Sequence, residues 1–151
     1  MKLLLNAGTT SYYTRIYLED SSSSTNAPLT GLTYASSGLK FTYIRDDQST
    51  VTVVTPVTAT VGTFTSGGFK EIDAVNFPGL YEIGVPDAAL ASGKSVQIDI
   101  FGATNLKPCP IEIELTAVNL HSATAFVASV PSVTLRWATS TDTPSRSSCG
   151  S

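Results

Sequence analysis

The sequence predicts an all-β fold: an antiparallel β-sandwich, Ig-like or jelly-roll-like, of about seven or eight strands with one short helical turn. Three observations carry this expectation. Hydroxyls stand where a helical protein would carry Ala, Glu and Lys: 19 Ser and 21 Thr in 151 residues, with 14% charged, against roughly 25% in an ordinary soluble domain. Apolar and polar residues alternate with a period of two, the spacing of a strand with one buried face. Turn formers, including 11 Gly and 8 Pro, recur at short intervals. The length suits one domain with a modest core, expected over residues 1–118, followed by an extension over 119–151.

In order along the chain, residues 10–18 (TSYYTRIYL) read as a first strand. Tyr12, Thr14, Ile16 and Leu18 share one face, and Tyr13, Arg15 and Tyr17 the other. Residues 19–31 contain four consecutive serines and Asn26-Ala27-Pro28. They offer nothing to build a core and read as a long surface loop. Residues 39–45 (LKFTYIR) alternate with Leu39, Phe41 and Tyr43 inward, and Asp46-Asp47-Gln48 forms a turn. Residues 50–60 continue as a Val/Thr-rich strand, with Pro56 marking an edge or a bend. The Gly pair between Phe64 and Phe69 reads as a hairpin turn, residues 69–73 as a short strand, and Asn76-Phe77-Pro78-Gly79 as a type II turn.

Residues 80–85 place Tyr81, Ile83 and Val85 on one face. Pro86-Asp87-Ala88-Ala89-Leu90-Ala91 is a helical turn, opened by Pro and closed by Ser92-Gly93. Such a turn suits a crossover between two sheets better than a lipocalin-like barrel. Residues 94–101 point Val96, Ile98 and Ile100 inward, and residues 110–118 point Ile111, Ile113, Leu115 and Ala117 inward. Ser132 to Trp137 (SVTLRW) can supply a last strand. Residues 138–151 are Ser/Thr-rich and are expected to be loose or to order on a partner.

A net charge of −3 provides no basic footprint for nucleic acid. No run approaches the roughly 18 apolar residues of a membrane span. Residues 3–5 give three leucines, short of a secretory h-region, so synthesis and use without Sec export is expected. Cys109 and Cys149 stand 40 positions apart. Either a disulfide tethers the C-terminal segment or both remain thiols; neither has a companion at zinc-site spacing.

Few residues offer chemistry. His121 is the single His, and no G-x-S-x-G elbow accompanies it. Glu71/Asp73 and Glu112/Glu114 share strand faces at i, i+2, which would serve glycoside hydrolysis or Ca²⁺, yet the outward face of any alternating strand gives the same pattern. No catalytic, cofactor-binding or metal-binding residue is assigned, and a non-enzymatic protein without cofactors is expected. Tyr13, Arg15 and Tyr17 form a stripe suited to a protein interface, to stacking on sugars as in a carbohydrate-binding module, or to the inner face of the sandwich. Trp137, beside Arg136, is a candidate anchor for a partner; alternatively it closes the end of the core.

Ser66-Gly67-Gly68-Phe69, then Glu71, Asp73 and Asn76, Pro78-Gly79-Leu80-Tyr81, the run from Gly84 to Gly93, and Ala103-Thr104-Asn105-Leu106-Lys107-Pro108 follow one another in a recognisable order. The stretch from Ser37 to Val118 that holds them, a little over half of the chain, resembles a small β-domain of tailed-bacteriophage virion structural proteins. The N-terminal strand and long loop resemble, in general arrangement, the start of phage baseplate modules. The matched residues are turn formers and core positions, so the resemblance implies a structural role without naming a site. It implies a capsid cement or decoration protein, with a tail, baseplate or fibre adaptor as the alternative. The implied partners are the major capsid protein or other virion proteins, with self-association as a dimer or trimer. The implied location is the virion, assembled in the host cytoplasm. A sandwich with a hydroxyl-rich arm suits a clip across neighbouring capsid subunits.

Overall fold

Two sheets enclose a single apolar core in the computed structural model, which describes residues 1–117. The strands are β1 (Lys2–Asn6), β2 (Tyr13–Tyr17), β3 (Lys40–Arg45), β4 (Thr52–Val54), β5 (Phe69–Asp73), β6 (Phe77–Gly84), β7 (Ser95–Phe101) and β8 (Cys109–Thr116). A five-stranded sheet runs β1-β8-β7-β3-β4 and a three-stranded sheet runs β2-β6-β5. The all-β sandwich expected from the sequence is present. A single 3-10 turn at Asp87–Ala89 opens behind Pro86 and carries the chain from β6 in one sheet to β7 in the other. Arg136, Trp137, His121, Cys149 and the expected strand at 132–137 lie outside the described residues.

Alternation decides the core. Val96, Ile98 and Ile100 of β7, Ile111 and Ile113 of β8, Tyr81 and Ile83 of β6, and Ile16 and Phe41 are all buried. Each such side chain contributes about 1.5–3 kcal/mol relative to exposure. Phe69 stacks on Tyr81 at 5.0 Å between ring centroids, joining β5 to β6 across the inner face.

Several local expectations change. Lys2–Asn6 is a strand, paired parallel to β8 while every other ladder is antiparallel. Its leucines carry little strand preference; the match to β8 supplies it, with Lys2 reaching Glu114 at 3.1 Å and Glu112 at 3.8 Å. The strand expected at 50–60 shrinks to three residues, because the chain leaves the sheet past Pro56 to form a bridge from Val57 to Gly68. The Gly67-Gly68 step is not a hairpin between neighbours, since β4 and β5 belong to different sheets. Gly67 N–H donates to Gly84 O at 2.9 Å, and Gly84 N–H returns a bond to Gly68 O. A Cβ on Gly84 would run into the Thr65 carbonyl, so this close backbone approach requires glycine.

The β5–β6 turn is Ala74-Val75-Asn76, not Pro78-Gly79. Asp73 caps it, accepting the Val75 and Asn76 N–H groups and the Asn76 side-chain amide at 2.8–2.9 Å. Pro78-Gly79 instead forms a bulge inside β6: Glu71 faces Tyr81 and Asp73 faces Phe77, two steps on one strand against four on the other. Residues 19–31 do contribute to the core. Leu29 is buried, its carbonyl accepts the Tyr81 hydroxyl at 3.0 Å, and Leu32 N–H donates to the same hydroxyl at 3.1 Å.

Candidate protein interface

β2 is an edge strand of the three-stranded sheet. Its even residues Thr14 and Ile16 turn inward, as does Leu18 beyond its end. Tyr13, Arg15 and Tyr17 therefore lie on the outer face, which excludes the reading that placed them in the core. Tyr13 is 36% and Tyr17 44% exposed. Side chains two apart on a strand repeat every ~7 Å, so the stripe presents two aromatic rings flanking one cation.

The neighbouring strand fixes that cation. Arg15 stands opposite Glu82 in register, with Arg15 Nε 3.5 Å from Glu82 Oε2. Glu82 also faces outward, yet it is almost wholly buried. The chain around residue 62 covers it, and Gly62 N–H donates to its Oε1 at 2.7 Å. A carboxylate in that position needs its charge matched, and the Arg15 guanidinium provides the match while remaining half in solvent. Opposite Tyr13 stands Gly84, which has no side chain to crowd the ring.

At the far end of the stripe Tyr17 borders a cleft of about 230 Å³ shared with Met1, Glu19, Lys107 and Cys109. Lys107 Nζ pairs with Glu19 at 2.6 Å. Burial pushes the Cys109 thiol up, with the Asp99 and Glu19 charges adding to it against the N-terminal ammonium, which disfavours the thiolate that a nucleophile needs. Its expected alternatives, bonded or unbonded to Cys149, fall outside the described residues.

The paired carboxylates have local duties. Glu71 accepts Gly31 N–H at 2.9 Å. Asp73 serves its turn, and the Asn76 side chain, then the turn amides, hold its carboxyl below the usual range. Glu112 and Glu114 hold Lys2, whose ammonium is raised chiefly by its hydrogen bond to Glu114. Among the described residues no group of three or more His, Cys, Asp or Glu is placed to hold a metal, and no helix is long and apolar enough to cross a membrane.

No family model, curated protein or solved structure matches the chain. The stripe on β2 was legible from its alternation alone. Its partner Glu82 was not, because nothing local says that a carboxylate on an outward position will be covered by a distant loop.

Proposed function

We propose that the protein is a non-enzymatic structural component of a tailed-bacteriophage virion, acting as a capsid cement or decoration protein through protein–protein contacts. The observation that carries this reading is the exposed Tyr13–Arg15–Tyr17 stripe on an edge strand of a rigid sandwich. Tyr and Arg are enriched where proteins meet, and a tyrosine loses little conformational freedom on docking. An arginine already paired with a buried glutamate is oriented before a partner arrives. The order of turn and core residues from Ser66 to Pro108, which resembles the phage β-domain, supplies the assembly. The low charge suits a surface that packs against neighbours in a shell.

Quantitative mass spectrometry of purified particles tests the proposal. Hundreds of copies per particle are the expected result. Tens or fewer would place the protein in the tail or baseplate, and absence from particles would overturn the reading. The double substitution Tyr13→Ala/Tyr17→Ala should lower incorporation severalfold while leaving the fold intact.

A further inference from the structure

We infer that β1 is a self-association edge, at which two copies of this chain pair antiparallel about a two-fold axis through Leu4. This deepens the assembly reading above by naming a second copy as one partner, but it concerns the purified protein alone.

The backbone decides which groups are available. Glu112 N–H donates to Met1 O, and Ala7 N–H donates to Thr116 O. Odd-numbered residues of β1 therefore face β8, and by strand alternation Lys2, Leu4 and Asn6 turn their backbone groups toward the outer edge. The Asn6 carbonyl is held there by the Thr9 N–H and hydroxyl, so the groups offered to a second copy are those of Lys2 and Leu4 and the Asn6 N–H. No strand lies beside that edge among the described residues. A two-fold axis at Leu4 sets Lys2 opposite Asn6, Leu3 opposite Leu5, and Leu4 opposite its own mate. This register pairs outward-facing residues with outward-facing residues, so each Leu4 exchanges both backbone bonds with the other. Leu3 and Leu5, half-buried against the core, meet across the seam and extend both cores. Leu4, 46% exposed on the outer face, meets Leu4.

Charge permits this pairing at β1 and opposes it at β2. A lysine on an edge strand normally discourages pairing, but Lys2 is drawn back onto Glu112 and Glu114 of its own β8. In this register the two Lys2 residues sit four positions apart along the seam, ~13 Å, beyond a physiological Debye length of about 8 Å. On β2 the same operation about the central residue would set Arg15 against Arg15, a like-charge cross-strand pair. β4 is three residues long and is cut off at Pro56. A five-residue seam falls below the roughly 1,200 Å² of a standard interface, so the dimer is weak alone and gains from the high local concentration of an assembly.

The test uses full-length protein with Cys109→Ser and Cys149→Ser, into which Leu4→Cys is introduced. Directly opposed residues of a bonded antiparallel pair have Cα atoms about 5.5 Å apart, within disulfide reach. Mild oxidation should yield a covalent dimer, whereas Asn6→Cys, which faces Lys2, should not. In a Leu4→Lys variant, sedimentation equilibrium should show dimer affinity falling about tenfold or more with an unchanged melting temperature. Equal cross-linking at positions 4 and 6, or none at position 4, would overturn the proposal. So would a monomer in which exchange measurements find the Lys2 and Leu4 amides protected, since another segment would then occupy the edge.

Discussion

Replacing Tyr81 with Phe tests whether one hydroxyl fastens the long 19–31 loop to the core. The ring is fully buried and stacked on Phe69, so Phe keeps the packing and removes only the oxygen. That oxygen donates to Leu29 O and accepts from Leu32 N–H. Without it the Leu29 carbonyl, on a buried residue, loses its donor, and Leu32 N–H loses its acceptor at a site water reaches more easily. An unsatisfied buried group costs about 1–3 kcal/mol, so the expected loss is about 2 kcal/mol. That corresponds to a melting temperature roughly 5–10 °C lower. Urea denaturation of both proteins at neutral pH measures it. An alkaline series adds an independent reading. Burial pushes the Tyr81 phenol up to about 12, the Leu32 amide pulling down and the Glu71 carboxylate pushing up, against about 10 in an unfolded chain. Below pH 10 both states keep the proton and its stabilisation is present in full. Between pH 10 and 12 the unfolded chain releases its proton first, so stability falls, on the order of 3 kcal/mol across the window. Tyr81→Phe lacks this titration, and the gap between the two proteins should close as pH rises. A neutral-pH loss below about 0.5 kcal/mol, or parallel alkaline curves, would refute the argument that the hydroxyl is a buried, bonded fastener.

Gly84→Ala should be strongly destabilising, by about 3 kcal/mol or more, because its Cβ meets the Thr65 carbonyl. Gly8→Ala, whose Cβ meets nothing within 4 Å, should cost only about 1–2 kcal/mol for its positive φ; circular-dichroism melts of the pair separate a steric cause from a conformational one. Asp73→Ala should lower the melting temperature at pH 7. Its lowered pKa means the benefit is present above the ordinary carboxylate value and lost as pH falls through the folded value, so the two melts should converge as pH falls below the ordinary carboxylate range. Tyr13→Ala/Tyr17→Ala should cost about 1–2 kcal/mol in urea denaturation, since each ring is partly covered, with 36% and 44% exposed, and should leave the fold intact.

The inner faces of β3, β6, β7 and β8 were readable because alternation is a local property and burial follows it directly. The same logic put Tyr13, Arg15 and Tyr17 on one face, although only the neighbouring sheet decided that it was the outer one. The Pro-Gly and Gly-Gly steps mark unusual backbone in the sequence, but not the use to which the fold puts it. Pro78-Gly79 became a bulge because Asp73 and Asn76 had already closed the turn beside it. Gly67-Gly68 became a docking point for Gly84, a residue 16 positions away from Gly68.

The residues of β1 show the division most sharply. Lys2-Leu3-Leu4-Leu5-Asn6 has no strand signature, and its three leucines are too few for a secretory segment. It is a strand because β8 offers a ladder and two glutamates for its lysine. By itself the sequence determined the all-β class, the inward-facing residues of the main strands and the helical turn at Pro86, since each depends on neighbours within a few residues. Tertiary structure alone decided the parallel β1–β8 pair, the covering of Glu82 beside Arg15, and the fastening of Leu29 and Leu32 to Tyr81. Those contacts join segments about 20 to 110 residues apart, whose meeting depends on the order of strands in the sheets, a quantity that local periodicity does not encode.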